Sequence, residues 1–340
     1  MTSEEAIQKG KEILRQKGIV AEITHHEGQE IHPTVPGLGG MGRGTTFQRN
    51  RDALSNYFIK TRLIGEHFTP DTSLTLFGKH IAFPILSAPM SGIKSNLRGH
   101  IEEKDLLSAI FKGCKEAGTI GIGGDSFDST SNYIIPDLVK EIGGIGICKP
   151  RNFPLLKERL EKLIASDAIA IGIDIDGIAR MLINTSEVTR KSTAELKELR
   201  ALWKGPMILK GILNVEDAVA AHEIGFDAIV VSNHGGRTID YALATADILP
   251  AIAKELKGKI KILVDGGIRT GYDVFMYLAL GADAVLIGRS ILYSAVGGGD
   301  EGVKTTLLKY AADLKVAMLY SGAQNLSEIN STLIERYAKL

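Results

Sequence analysis

The 340-residue chain has two cysteines, one tryptophan and no excess of charge of either sign. Cys114 and Cys148 are too few for a disulfide framework or a zinc site by themselves. Forty basic residues balance forty acidic ones, which disfavours a general nucleic-acid binder and a polybasic membrane-surface protein. No apolar run approaches the roughly 20 residues of a membrane span, and the first residues contain no signal-peptide core. We therefore expect a cytoplasmic protein with no transmembrane segment and no nucleic-acid partner.

Glycine, by contrast, is abundant, with 38 residues, and many of these glycines follow short apolar runs. The runs are rich in β-branched residues and do not alternate between apolar and polar positions, which is typical of parallel strands buried on both faces. They lie at 84–90, 119–124, 144–149, 168–176, 207–212, 228–236, 261–267 and 284–290. Amphipathic segments between them predict helices, most clearly at 101–117, 214–225 and 271–281.

Eight strand–helix repeats over about 210 residues predict an α/β fold, a (β/α)8 TIM barrel. The alternative is a doubly wound open sheet, which would normally place a Gly-x-Gly-x-x-Gly turn after its first strand, and PILSAPMSG (84–92) offers none. No Pro- or Ser-rich linker divides the chain, so one domain is expected over residues 1–340. Its predicted parts are an N-terminal extension at 1–83 with a helix at about 3–17, the barrel at 84–300, and two C-terminal helices at 301–340.

Polar residues concentrate where the predicted strands end. A closed barrel brings these ends to one mouth, where the active sites of such barrels lie, and charges in apolar strands are costly unless they are paired or face a ligand. The residues concerned are Asp125, Lys149, Asp174, Asp176, Lys210, Ser232, Asn233, His234, Arg237, Asp265, Arg269 and Arg289. Their convergence predicts an active site rather than a purely structural ion-pair network. No metal site is predicted.

The glycine clusters after the seventh and eighth predicted strands indicate a phosphate site. In DGGIRTG (265–271) and IGRS (287–290), glycines let backbone N–H groups approach a phosphate, and Arg269 or Arg289 supplies a cation. Taken alone, either motif could be a plain tight turn. Lys210 on the fifth predicted strand adds a cation on the other side of the mouth, as a phosphate-bearing ring cofactor would require.

The sixth predicted strand ends in SNHGGR, which indicates acid–base chemistry on an anionic substrate. A histidine such as His234 takes or gives a proton near neutral pH, and a guanidinium such as that of Arg237 holds a carboxylate. Asp174 is the candidate partner of the histidine, because a neighbouring carboxylate fixes the tautomer and stabilises the imidazolium.

These motifs together resemble the FMN-dependent 2-hydroxy-acid oxidases and dehydrogenases, a family that includes glycolate oxidase and lactate oxidase. The similarity runs from about residue 40 to the C-terminal helices, and it is carried by VSNHGGRTID (231–240), ILKGILNVEDA (208–218), the segment 264–290 and the segment 302–322. It implies FMN-dependent oxidation of a 2-hydroxy carboxylic acid to the 2-oxo acid by a homo-oligomer. The electron acceptor stays open among oxygen, a quinone and another protein.

The resemblance also implies roles for individual residues. His234 would remove a proton from the substrate, Asp174 would support His234, and Arg237 would hold the substrate carboxylate. Lys210 would lie near flavin N1 and O2 and stabilise negative charge there. The residues implied in FMN binding are Ala88, Pro89, Met90, Ser91, Lys210, Ser232, Asp265, Gly266, Gly267, Arg269, Gly288 and Arg289.

The substrate-binding positions depart from the family pattern. Pro36–Gly37 stands where members usually carry a Tyr-Tyr pair, and the stretch 147–149 replaces a tyrosine at the end of the third strand. Lys149 is therefore expected to take over part of the contact with the substrate carboxylate. Arg180 matches only loosely an arginine that follows the fourth strand in the family. A 2-hydroxy acid is thus predicted without being identified.

An FMN-dependent isomerase resembling type 2 isopentenyl diphosphate isomerase is the alternative function. That group shares the barrel and a related phosphate site. It usually carries a Gln-Glu metal-binding pair after the fourth strand, which IDIDGIARML (173–182) lacks, and it has no SNHGGR. A non-catalytic flavin binder is the third alternative, and the presence of His234, Asp174 and Arg237 together disfavours it.

Overall fold

The computed structural model describes residues 1–19, 38–97, 99, 101–126, 133–178 and 187–337. The strands are β1 (Tyr57–Ile59), β2 (Leu74–Leu76), β3 (Lys79–Ile81), β4 (Ile85–Ser87), β5 (Ile122–Gly124), β6 (Ile145–Cys148), β7 (Ala170–Asp174), β8 (Met207–Ile212), β9 (Ala228–Val231), β10 (Lys261–Val264), β11 (Ala284–Ile287) and β12 (Ile334–Arg336). The α-helices are α1 (Ser3–Gln16), α2 (Thr45–Leu54), α3 (Ile93–Asn96), α4 (Glu103–Glu116), α5 (Ile135–Ile142), α6 (Phe153–Ile164), α7 (Thr193–Ala201), α8 (Val215–Ile224), α9 (Thr245–Leu256), α10 (Gly271–Ala279) and α11 (Arg289–Ser321).

Strands β4 to β11 form one eight-stranded parallel sheet that closes on itself. From β5 to β11 each strand pairs with its neighbour in sequence, and β11 pairs with β4. The last gap is bridged where Gly124 N donates to Met90 O at 3.0 Å and where Ile122 N donates to Ser87 Oγ at 2.8 Å. The predicted (β/α)8 barrel is confirmed.

Each of the eight predicted runs contains one barrel strand; β8 coincides with its run, and each of the other seven strands is shorter than its run. In the run 228–236, for example, β9 ends at Val231 and the following residues form the loop at the barrel mouth. The predicted helices at 3–17, 101–117, 214–225 and 271–281 are present as α1, α4, α8 and α10. Thr2, Asn214 and Thr270 cap three of them through their side chains. In the described ranges, no helix has the length and apolarity needed to cross a membrane.

Two apolar clusters hold the barrel together. The inner one fills the barrel with side chains such as Leu86, Ile122, Ile147 and Leu263, and β2–β3 adds Leu76 and Ile81 to it. The outer cluster lies between the strands and the surrounding helices. Both faces of each strand are thus buried, which explains why the strands do not alternate in sequence.

The C-terminal region differs from the predicted pair of helices at 301–340. One helix, α11, begins at Arg289, is bent where Gly299 leaves helical geometry, and ends at Ser321 with Gly322 in the left-handed region. The chain then forms short 3-10 turns, and β12 pairs antiparallel with β1 of the N-terminal extension. Asparagine side chains that accept backbone N–H bonds favour such turns over a second helix.

The N-terminal helix packs closely against α11 through glycines. A Cβ at Gly297 would overlap the backbone oxygen of Ala6, and a Cβ at Gly10 would overlap that of Tyr293. Gly298 is different, because the nearest atom to a Cβ there is the flexible end of Met1 at 2.8 Å. A side chain at Gly297 would therefore collide with fixed backbone, whereas one at Gly298 would collide only with a side chain that can move.

We expect Gly297→Ala to lower the free energy of unfolding by about 2–4 kcal/mol, because the two helix backbones must separate. Gly298→Ala is the matched control, and the helix propensity of alanine should make it neutral or slightly stabilising. Urea unfolding measures both variants. Equal free energies of unfolding in the two would show that the close helix contact contributes nothing to stability.

Candidate active site

A cleft opens at the carboxyl ends of the barrel strands, with about 1170 Å³ of empty space when the open solvent at its mouth is included. It brings together most of the residues that the sequence singled out. Those that line it are Ala88, Pro89, Met90, Ser91, Asp125, Lys149, Asp174, Lys210, His234, Arg237, Asp265, Gly266, Gly267, Arg269, Gly288 and Arg289. Ser232 is buried next to this cleft and donates from Oγ to Asp265 Oδ2 at 2.8 Å. Arg180 lies outside the described residues.

Asp174, at the end of β7, holds two ammonium groups in the floor of the cleft. Lys149 Nζ lies 2.6 Å from its Oδ2 and Lys210 Nζ lies 3.0 Å from its Oδ1. Burial by itself would raise the pKa of the Asp174 carboxyl, but the two lysines outweigh burial and hold this pKa well below its usual range. Burial would likewise lower the pKa of Lys210, yet the surrounding carboxylates raise it above its usual value. Asp174 and Lys210 are therefore charged.

His234 lies in a tight turn directly after β9, with its backbone at φ 57°. Its Nδ1 is 2.8 Å from Asp176 Oδ1 and 3.5 Å from Asp174 Oδ2, so the carboxylate in hydrogen-bond contact is Asp176 rather than the expected Asp174. Burial, followed by the charge of Lys210, lowers the pKa of His234 below its usual value of 6.5, although Asp176 acts in the opposite direction. The imidazole is therefore neutral near pH 7.

Asp265 offers an oxygen to the cleft. Ser232 Oγ donates to its Oδ2, and the same hydroxyl accepts the backbone N–H of His234 at 3.0 Å. The other oxygen, Oδ1, is buried without a hydrogen-bond partner among the described residues. Burial raises the pKa of Asp265 to about 6. An unsatisfied buried oxygen is costly, which indicates that a ligand supplies the missing donor.

The glycine-rich stretch after residue 37 packs over the loop that carries His234 (232–237), here called the histidine loop. Met41 N donates to Gly236 O at 2.7 Å, and a Cβ at Gly236 would lie 2.5 Å from Phe47 N. Asp240 ties this contact by accepting the backbone N–H of Arg43 at 2.8 Å and that of Thr46 at 3.0 Å. The close approach requires glycine here because the backbone is also left-handed, at φ 78°.

Two supporting residues, Asn50 and Asn96, were not identified from the sequence. Asn50 exchanges two side-chain hydrogen bonds of 2.8 Å with Asn233, and both are buried. Asn96 accepts from Arg237 Nη2 at 2.7 Å and donates to Ser91 O at 3.1 Å, which links the guanidinium to the loop after β4. A single amide in an unrelated segment gives no sequence signal, since its partner lies more than a hundred residues away.

The carboxylates and the histidine also have a spacing that a metal ion could use. Ligand atoms of Asp174, Asp176 and His234 lie within 4.8 Å of one another. The ammonium groups of Lys149 and Lys210 already contact both oxygens of Asp174. Two fixed positive charges repel a cation, so this arrangement favours the lysines as the partners of Asp174.

Asp125 lines the cleft and belongs to a buried ion network. It accepts from Arg151 Nε at 3.0 Å, forms an ion pair with Arg159, and accepts the backbone N–H of Lys149 at 3.1 Å. The exposed fractions of Asp125, Arg151 and Arg159 are 1%, 0% and 4%. The network therefore fixes the end of β6, where Lys149 enters the cleft.

We expect Asp125→Asn to lower the free energy of unfolding by about 3–5 kcal/mol, because two buried guanidinium groups lose their counter-charge. Glu12→Gln is the control, since the Glu12–Arg15 pair is exposed and should contribute less than about 1 kcal/mol. Urea unfolding measures both. A cost for Asp125→Asn as small as that of the control would rule out a stabilising role for the network.

Comparisons with known proteins identify the family of the chain. The family model described as FMN-dependent dehydrogenase matches residues 38–180 and 175–336. The L-lactate dehydrogenase of Pseudomonas entomophila (strain L48) is 50% identical over 145 residues, which are 43% of this chain and 38% of that protein. The chain thus matches less than two-fifths of that relative's length.

Solved structures of mandelate oxidase are similar over most of the chain. The crystal structure with (S)-2-phenylpropionate has a TM-score of 0.76 at 26% identity and covers 88% of this chain and 92% of that chain. A variant of mandelate oxidase with a monooxide FMN adduct has a TM-score of 0.76 at 28% identity, covering 88% and 94%. The matched family model spans nearly the whole chain beyond residue 37. The chain therefore belongs to the family of FMN-dependent dehydrogenases, oxidoreductases whose cofactor is FMN.

Proposed function

We propose that this protein oxidises a 2-hydroxy carboxylic acid to the corresponding 2-oxo acid with FMN as its cofactor. The observation that carries the proposal is a neutral imidazole, His234, which opens on the same cleft as the guanidinium of Arg237. A base beside a carboxylate-binding cation is what a 2-hydroxy acid requires. The names of the relatives support this choice, because lactate and mandelate are both 2-hydroxy acids.

The polar groups of the cleft and the space within it fit FMN. Asp265 Oδ1 is the unsatisfied acceptor that a cofactor hydroxyl would satisfy. Among the described residues, the only atom within 4 Å of a Cβ at Gly288 would be Ala88 Cβ, at 3.7 Å, so this position leaves room for a bound group. Lys210, Asp265, Arg269 and Arg289, with the backbone at 88–91, would hold the cofactor. FMN, when bound, accepts the two electrons that the substrate loses.

His234 would act as the base through Nε2. If Nδ1 donates its proton to Asp176 Oδ1, at 2.8 Å, the lone pair lies on Nε2, the other ring nitrogen. The proton leaves the substrate for Nε2, and the imidazolium that forms is stabilised by Asp176 and Asp174. The two carboxylates thus stabilise the positively charged form of His234, which exists after it has accepted the proton.

Arg237 would bind the substrate carboxylate. Its guanidinium is oriented by Asn96 Oδ1 at 2.7 Å, and it lies in the same cleft as His234. Lys149 lines this cleft too, but its Nζ is 2.6 Å from Asp174 Oδ2, so a large part of its charge is already balanced. We therefore assign Arg237 the principal contact with the carboxylate.

The isomerase alternative has no observation of its own in the structure, and the matched family is one of dehydrogenases. A homo-oligomeric assembly, a cytoplasmic location and the choice of electron acceptor stay predictions. The substrate side chain is likewise not assigned.

A panel of 2-hydroxy acids, added anaerobically to the yellow holoenzyme, should bleach the flavin absorbance with at least one member. His234→Gln should keep its flavin and be reduced about a thousandfold more slowly, because it lacks the base. His80→Gln is the matched control, since that histidine is exposed and does not line the cleft. If no 2-hydroxy acid bleaches the wild-type flavin, or if His234→Gln reacts at the wild-type rate, the proposal is wrong.

The pH dependence of kcat/KM should report the same histidine. His234 must be neutral to accept a proton, so activity is lost as the pH falls through its pKa, which burial and Lys210 lower below 6.5. The acid limb should therefore lie below pH 6.5. Asp265, with a pKa of about 6, titrates nearby, and the limb should persist in Asp265→Asn. A limb at or above pH 6.5 would contradict the assignment.

A further inference from the structure

We propose that Asp176 is the positioning carboxylate of His234, and that Lys149 enforces this choice by occupying Asp174. The inference rests on the proposed function only in taking His234 as the base. The sequence pointed instead to Asp174, which ends β7 and aligns with the family's aspartate. Asp176 lies two residues further along the chain, beyond the strand.

Both oxygens of Asp174 already have cationic partners. Lys149 Nζ is 2.6 Å from Oδ2 and Lys210 Nζ is 3.0 Å from Oδ1. Oδ2 is also the oxygen closest to His234 Nδ1, at 3.5 Å. Lys149 thus contacts the atom that would otherwise accept the imidazole proton, and 3.5 Å is too long for a strong hydrogen bond.

Asp176 is placed to take over that contact. Its Oδ1 lies 2.8 Å from His234 Nδ1, and its Oδ2 is 3.8 Å from Lys210 Nζ without a hydrogen-bond partner among the described residues. Its side chain is 11% exposed, so solvent screens it only in part. Unlike Asp174, it has no ammonium group within 3 Å among the described residues.

The adjacent strand is shaped to admit Asp176. β8 has a register irregularity between Lys210 and Ile212, and Gly211 between them has φ 103°. A Cβ at Gly211 would lie 2.7 Å from Asp176 Cβ and 2.8 Å from Asp176 N. Ile175 N also donates to Lys210 O at 2.8 Å, which carries the β7–β8 pairing to the residue before Asp176. The bulge and the missing side chain together allow the approach.

The charges around His234 agree with this division of roles. Four charged groups act on the imidazole: Asp174 and Asp176 raise its pKa, and Lys149 and Lys210 lower it. Asp174 has two lysines within 3.0 Å, whereas Asp176 has Lys210 at 3.8 Å, so the less compensated negative charge next to Nδ1 belongs to Asp176. This carboxylate fixes the tautomer that leaves Nε2 free and stabilises the imidazolium after proton transfer.

Lys149 therefore acts on the reaction through Asp174. Without its ammonium group, Oδ2 of Asp174 would be open to His234 Nδ1 by a movement of less than about 1 Å. A methionine at position 149 should then allow either aspartate to hold the imidazole. This consequence distinguishes the proposal from the alternative in which Lys149 binds the substrate carboxylate.

Three variants of the FMN-loaded enzyme test the proposal. Asp176→Asn should lower kcat about a hundredfold with little change in KM, and it should lower the pKa of His234. Lys149→Met should raise that pKa and change kcat less than about tenfold. The double variant Lys149→Met/Asp176→Asn should have a kcat at least about tenfold higher than that of Asp176→Asn, because Asp174 can then accept the hydrogen bond from His234 Nδ1.

Histidine-ring 1H–15N NMR reads the tautomer and the pKa of His234 directly, with His234→Gln identifying its signal among the eight histidines. An unchanged Nδ1–H signal and kcat in Asp176→Asn would overturn the role of Asp176. No recovery in the double variant, or a raised KM in Lys149→Met with an unchanged His234 pKa, would overturn the role of Lys149. The NMR measurement tests the role of Asp176 and Lys149 even if no 2-hydroxy acid is oxidised. If Asp176→Asn does not fold, the His234 pKa in Lys149→Met tests the proposal instead.

Discussion

The pairing of one carboxylate with two buried ammonium groups is the constraint on which the rest of the cleft depends. Asp174, Lys149 and Lys210 stand at the ends of three adjacent strands, β7, β6 and β8, and their exposed side-chain fractions are 4%, 8% and 2%. Each charge would cost several kcal/mol if it were buried alone, so the three are stable there only together. This group fixes the floor of the cleft. Because the oxygens of Asp174 are occupied, the carboxylate in hydrogen-bond contact with His234 is that of Asp176.

The barrel supplies rigid strand ends, while the functional groups stand on the loops that follow them. In the histidine loop, His234 and the two glycines that follow it have left-handed backbone conformations. The segment around Met41 and Phe47 packs on this loop. Asp240 and the Asn50–Asn233 pair hold that packing. The site is thus assembled from an N-terminal extension and barrel loops that are nearly two hundred residues apart.

Much of the fold could be predicted because burial on both faces leaves a direct trace in sequence. The eight apolar runs each became a strand, and SNHGGR and DGGIR each became a loop at the mouth. The C-terminal strand at 334–336 was missed, since its pairing with 57–59 depends on a distant segment. The partner of His234 was also missed, because Asp174 and Asp176 differ in sequence only by their position relative to the end of β7.

The barrel, the family and the set of polar residues that line the cleft could be predicted from the sequence alone, because these follow from local apolar periodicity and from motifs of adjacent residues. Which of these residues are partners depends on how the strands and loops pack together. A bulge at Gly211 brings Asp176 to the imidazole, and the Lys149 side chain reaches Asp174 at the end of the neighbouring strand. Such choices depend on differences of less than 1 Å between competing oxygens, 2.8 Å against 3.5 Å from Nδ1, and only packing of the whole barrel sets them.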